Sequence, residues 1–174
     1  ATTYRPRRIT LRDGREVTLR AIVETDATEI VQAFERLSAE SRYNRFMVHK
    51  KHLNDAALQC GVQPRPGRDF VFVATIPAPD TIDIVGAAQY VQAGDAANRT
   101  CEFAVTVAED WRRSDLATNL MASLVRRARR DGYKTMEGLV IAQNTAMLAL
   151  ARKLKFKVEP VPGDATVLRV QRAL

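Results

Sequence analysis

The segment from Thr100 to Ile141 constrains this chain most, because the spacing of its apolar residues changes twice. In EFAVTV, residues 102–107, Phe103, Val105 and Val107 fall on one face and Glu102, Ala104 and Thr106 on the other, the period of a strand. In the stretch 116–130, Leu116, Leu120, Met121, Leu124 and Val125 recur at helical spacing, and Asp131-Gly132 ends the helix. TMEGLVI, residues 135–141, is strand again. Strand, crossover helix and strand in succession predict local parallel pairing. A helix expected over Asn144–Leu154 and a strand near 156–160 make a second crossover, with the same implication.

The rest of the chain supplies further strands and a few helices. Residues 8–22 read as a hairpin around Asp13-Gly14, a tight-turn pair. Asp26 opens a helix, with Glu29 three residues on as a capping box and Ile30, Val31, Phe34 and Leu37 as its apolar stripe. Short helices are expected around Ser41–Met47 and Asn54–Cys60, before the Pro/Gly break QPRPGRD. FVFVATI, residues 70–76, is continuously apolar and reads as a central strand. Strands follow over 83–92 and 100–107, and two more near 156–160 and 166–172 close the chain. Read together, these elements make a mixed α/β fold. The length, 174 residues, points to one domain over 1–174.

Charge narrows the partners. A net charge of +7 favours a polyanion: nucleic acid, an acidic protein surface or a phosphate-rich small ligand. Aromatic residues are only 6%, which leaves little for base stacking and disfavours nucleic acid. No apolar run approaches the roughly 18 residues of a membrane helix, and the polar, Arg-rich start lacks the apolar core of a signal peptide. Cys60 and Cys101 sit in apolar settings and read as buried free thiols, which suits a reducing cytoplasm. His49 and His52 share a helical face, but two ligands make no zinc site, and no metal is expected. Arg126, Arg127, Arg129 and Arg130 read as a solvated helix face, with an anion patch as the functional alternative.

The chemistry concentrates in the loop Trp111-Arg112-Arg113-Ser114, where a strand passes into the helix at Leu116. A helix N-terminus leaves N–H groups unsatisfied and carries partial positive charge, so it binds phosphate readily. Arg112 and Arg113 add full charges, and the small Ser114 and Ala117 allow close approach of a ligand. The residues alone leave two readings open: a pyrophosphate cradle, or a solvated turn with surface arginines.

This stretch resembles motif A of the GNAT superfamily of N-acetyltransferases, a strand, then Arg/Gln-x-x-Gly-x-Gly/Ala, then a helix, with Arg112, Asp115 and Ala117 at the motif positions. QNTAMLALARKLKF is similar to the family's later segment, in which Asn144 opens a helix and Phe156 starts a strand. LRDGREVTLRAI and DATEIVQAFERLSAESRYNRFM are similar to the start of bacterial protein-lysine acetyltransferase domains. Together these blocks span roughly residues 9–157. The resemblance implies a GNAT fold, a mixed central sheet with helices on both faces. It also implies acetyl-CoA as co-substrate and direct transfer of the acetyl group to a primary amine, a protein lysine above all. Self-association as a homodimer is left open. The backbones of Val105 and Val107 would hold the pantetheine arm. Arg112, Arg113, Ser114, Asp115, Leu116, Ala117 and Thr118 would hold the pyrophosphate, and Asn144 would line the groove. Glu102 matches the glutamate proposed as general base in the protein acetyltransferases; read by itself, it is an exposed residue on a strand's polar face. The loops at 38–68 and 92–99 would set acceptor specificity.

The sequence departs from the pattern at three positions. Asp115 replaces the motif glycine, and as an N-cap its carboxylate would occupy the N–H groups a phosphate needs. A carboxylate about 4 Å from a phosphate costs about 1 kcal/mol even in water. On that reading Asp115→Gly tightens acetyl-CoA binding, and the alternative function is a GNAT-fold binding or regulatory module with weak or no CoA binding. Ala151 stands where many members place a tyrosine acid, and Lys155 replaces the glycine that ends the second helix, at about 1 kcal/mol.

Overall fold

The computed structural model describes residues 5–26, 29, 30, 32 and 64–174. Their strands are β1 (Arg7–Thr10), β2 (Glu16–Ala21), β3 (Phe70–Ala78), β4 (Thr81–Gln92), β5 (Thr100–Val107), β6 (Thr135–Ile141), β7 (Lys157–Val161) and β8 (Asp164–Ala173). They form one sheet in the order β1-β2-β3-β4-β5-β6-β8-β7. Two α-helices are described, α1 (Leu116–Arg130) and α2 (Thr145–Lys153).

Local chemistry explains most of these boundaries. Gly14, at φ +89°, makes the β1–β2 turn, which the Leu11 N–H closes on the Arg15 carbonyl at 2.8 Å. Gly132, at φ +91°, ends α1, as the Asp-Gly pair implies. Lys155, at φ +68°, ends α2: its N–H donates to Arg152 O at 3.0 Å and that of Phe156 to Ala151 O at 2.9 Å, a Schellman cap built without glycine. Among the described residues the capping box expected at Asp26 is not made. Asp26 ends a 3-10 turn (Glu24–Asp26), and its carboxylate takes two bonds of 2.7 Å from Arg20. Glu29 accepts from the Thr81 hydroxyl instead. The helices expected at Ser41–Met47 and Asn54–Cys60, with Cys60, His49 and His52, lie outside the described residues.

The sheet buries both faces at its centre. Val71, Phe72, Val73 and Ala74 of β3 are each at most 3% exposed. One face packs under α1 and α2 through Leu19, Phe72, Tyr90, Phe103, Leu120, Leu124, Met136 and Leu148. On the other, Ile22, Val71, Val73, Ile84 and Val91 pack with Ile30, itself in a helical stretch. α1 and α2 thus cover one face, and the described helical residues around Ile30 lie on the other. The Tyr90 hydroxyl donates to the Asp131 carboxylate and ties β4 to the end of α1.

Only the first crossover yields bonded parallel neighbours. β5 and β6 pair in parallel through Thr100–Thr135, Cys101–Met136 and Glu102–Glu137. After α2, β8 comes between β6 and β7 and pairs antiparallel with both. The second parallel pairing expected from the crossover pattern is thus not formed. The reason is physical. β8 has ten residues, buries Val167 and Val170, and matches the whole of β6. β7 has five, mostly exposed, and includes Pro160, whose missing N–H suits an edge.

Candidate active site

β5 and β6 part after three register pairs, although β5 runs five residues beyond Glu102. Phe103 shows why. Its ring lies against Gly138, where a Cβ would come within 2.6 Å of the ring, and packs edge-on to Phe156 at 5.4 Å. A large ring inserted at the fork holds the strands apart. Beyond it, the edge of β5 that faces β6 has no strand beside it among the described residues.

The gap opens into a cleft of about 590 Å³, lined by the ends of both strands, the loop after β5 and the first turns of α2. Glu102 sits at its fork, and Val105 and Val107 lie along one wall. Arg112, Arg113, Ser114, Ala117 and Thr118 close one end, and Asn144 is at the start of α2. Asn144 caps that helix, its side-chain oxygen accepting from the Met147 N–H at 3.2 Å. Gln89, Leu139, Ile141, Gln143 and Met147 also line the cleft, and the sequence reading missed them. A signal existed for two: Leu139 and Ile141 end β6 much as Val105 and Val107 end β5. Gln89 had none, since its place in the cleft depends on how β4 pairs with β5.

The loop corrects the reading of Asp115. Asp115 occupies the N-cap position, but its side chain makes no capping bond. Its Oδ1 accepts the Arg12 N–H from the β1–β2 turn at 2.9 Å, and Oδ2 accepts from the Asn119 amide at 3.2 Å. Ser114 does the capping. Its hydroxyl donates to Trp111 O at 2.5 Å and accepts the Leu116 N–H at 3.3 Å. Neither Asp115 nor Leu116 lines the cleft, and the Leu116 side chain is fully buried in the core. The N–H groups of Ala117 and Thr118 have no acceptor among the described residues. Arg113, at φ +60°, takes a left-handed conformation without glycine, while Asp115 at the motif's glycine position keeps φ −88°.

The hairpin braces this loop from outside. Arg15 stacks on Trp111 at 3.9 Å from the ring centroid and donates to Asp110 O at 3.0 Å. Partial burial opposes ionisation of Asp115, but the Arg12 N–H and Asn119 outweigh it and hold the carboxyl below its usual range.

Other candidates resolve simply. Cys101 is fully buried, and burial, with the charge of Glu137, pushes its thiol up to about 12, so it is core and no nucleophile. Ala151 is buried beneath Phe156 and does not line the cleft. No group of three metal-ligating side chains occurs among the described residues. None of their helices is long and apolar enough to cross a membrane.

A mixed sheet forked between two parallel strands, with a helix N-terminus and arginines at the mouth of the fork, defines the acetyltransferase class. The profile of the Acetyltransferase (GNAT) family matches residues 32–156, and the chain belongs to that family. Over 156 residues, 90% of this chain and 83% of the other, it is 32% identical to Acetyltransferase PA5475 of Pseudomonas aeruginosa. The GNAT domain of S. lividans PAT superposes with a TM-score of 0.82 at 20% identity, over 97% of each chain. RimL, a ribosomal L7/L12 α-N-protein acetyltransferase solved with coenzyme A, superposes at 0.63 and 16% identity over 91% of this chain and 94% of that one. The protein is an acetyltransferase of this family, whose enzymes use acetyl-CoA and act on amine acceptors.

Proposed function

We propose that this protein, as one domain over 1–174, transfers an acetyl group from acetyl-CoA to a primary amine, with protein lysine as the acceptor class. The observation that carries this is the fork itself: among the described residues, a strand edge with no partner strand leads to two helix N–H groups with no acceptor, flanked by Arg112 and Arg113. That pairing suits a ligand with an amide-bearing arm and a pyrophosphate. Val105 and Val107 would bond the arm through their backbones, while Ala117 and Thr118, with the two arginines, would hold the pyrophosphate. Asn144 would border the groove. Asp115 and Leu116 would act behind the loop rather than on the ligand.

Glu102, at the fork, would be the general base. It takes a proton from the acceptor ammonium, directly or through one water. The amine nitrogen then attacks the thioester carbonyl, the C–N bond forms, and the C–S bond breaks. A β5 N–H would steady the oxyanion as it forms. As the tetrahedral intermediate collapses, the nitrogen sheds its second proton to solvent and CoA departs as thiolate, which takes a proton from water, since a thiol needs little help near neutral pH. The resemblance to the PAT domain supports a protein lysine as acceptor. The buried free thiol of Cys101 fits a reducing compartment such as the cytoplasm. The alternative of a module that binds CoA poorly rests on Asp115; the bond of its carboxylate with the Arg12 N–H supports the catalytic reading instead.

Glu102→Gln tests the reading. Turnover with a lysine substrate is expected to fall by about 10²–10⁴, the scale of a lost general base, while acetyl-CoA affinity stays unchanged by calorimetry. Unchanged turnover would return Glu102 to the status of a polar strand residue. Absence of any acetyl-CoA heat in the wild type would end the proposal.

A further inference from the structure

A second cavity, of about 140 Å³, lies on the flank of α1 away from the cleft. Arg126, Arg127 and Arg130 of α1 and Arg7 of β1 surround it, with Ser123, itself 4% exposed. Arg7 and Arg126 each donate an Nη2 bond to Ser123 Oγ, at 3.1 and 3.2 Å. One neutral oxygen thus serves two cations that reach it from different elements. Arg127 is committed elsewhere, to Asp131 at 3.3 Å and to the Phe70 ring at 4.4 Å. Among the described residues no carboxylate pairs with Arg7, Arg126 or Arg130. Guanidinium groups gathered on a hydroxyl repel one another, and an anion between them would reverse the sign of that interaction.

The shape and the charge select the anion. Three guanidiniums with no carboxylate partner among the described residues offer more donors than the two oxygens and single charge of a carboxylate can use. A phosphate monoester presents three oxygens, carries nearly two charges near neutral pH, and matches the guanidinium fork. Nucleic-acid binding needs cations along a run of phosphates; here they close around one cavity. We propose that the cavity formed by Arg7, Ser123, Arg126 and Arg130 binds one phosphate monoester group, at a site separate from the N-terminus of α1. The Ser123 hydroxyl, now an acceptor, would turn to donate to a phosphate oxygen. The site owes nothing to the reading of the cleft, because it lies on the second half of α1 and relies on side chains alone.

Calorimetry on the whole chain tests this with inorganic phosphate as titrant and chloride holding the ionic strength constant. The titration is run in an Arg112→Ala/Arg113→Ala background, so that phosphate at the cleft loop does not contribute. Saturable binding at one equivalent is expected, with none for acetate. Arg7→Ala and Arg126→Ala should each weaken it about tenfold or more, the scale of a lost charge-assisted bond. Arg126→Gln, which keeps the chain length, should do the same with an unchanged melting point, which separates the effect from misfolding. A phosphoserine peptide that binds more tightly than phosphate assigns the source to a phosphorylated chain, and equal binding assigns it to a free phosphate. Phosphate heat no larger than that of acetate, or an affinity unmoved by both Arg7→Ala and Arg126→Gln, overturns the proposal.

Discussion

At the scale of single residues, Asp115 shows how a side chain can stand at a ligand's position and serve something else. Read locally, its carboxylate opposes a phosphate, and its removal should tighten binding. Its partner, however, is the Arg12 N–H, 103 residues earlier in the chain, and no local pattern could reveal that bond. With the carboxylate turned outward, it tethers the loop to the hairpin. We therefore expect Asp115→Ala to weaken acetyl-CoA binding about two- to tenfold, the worth of the hydrogen bonds lost, measured by calorimetry. Tighter binding would restore the local reading. Lys155 was legible, because a missing glycine at the end of a helix is a local matter. Lys155→Gly relieves a left-handed lysine at φ +68° and should raise stability by about 1 kcal/mol, a melting shift of roughly 2–4 °C. An unchanged melting point would mean that the strain is absorbed elsewhere.

At the scale of elements, periodicity and caps placed α1 and β6 at their observed ends, since both are bounded by strong local signals. The order of β7 and β8 was less legible. Which of two hairpin strands lies inside is decided by the length and burial of both, and Pro160 was the one local hint. The fork was illegible too, because it depends on Phe103 meeting a glycine 35 residues later in sequence, on a different strand. Gly138→Ala tests that meeting. A methyl group 2.6 Å from the ring must displace Phe103, at an overpacking cost of about 1–3 kcal/mol. Denaturant unfolding would measure it, and a loss below about 0.5 kcal/mol would show that the ring yields freely. The Asp13-Gly14 turn is a further lesson. It was read as a plain hairpin signal, yet Arg12 and Arg15 on either side of it grip the loop beside the cleft.

At the scale of the whole molecule, the fork means that the sheet is unfinished. Its other strands are joined without a break from β1 to β5 and from β6 to β7, but between these halves only three pairs carry the connection. A ligand that bonds the open edge of β5 is then a missing piece of backbone. Binding would stiffen a seam rather than fill a hole. The seam should be visible in hydrogen exchange: the amides of Val105 and Val107 should slow when acetyl-CoA is added, beyond the general gain expected from mass action. Equal slowing at all core amides would show that the ligand merely stabilises the fold globally. Among the described residues no strand covers this edge in the middle of the sheet, where an extended chain of suitable width could dock. If acetyl-CoA lies along this edge as proposed, it would also guard the enzyme against strand invasion, and resistance to aggregation should then track the acyl-CoA supply around it.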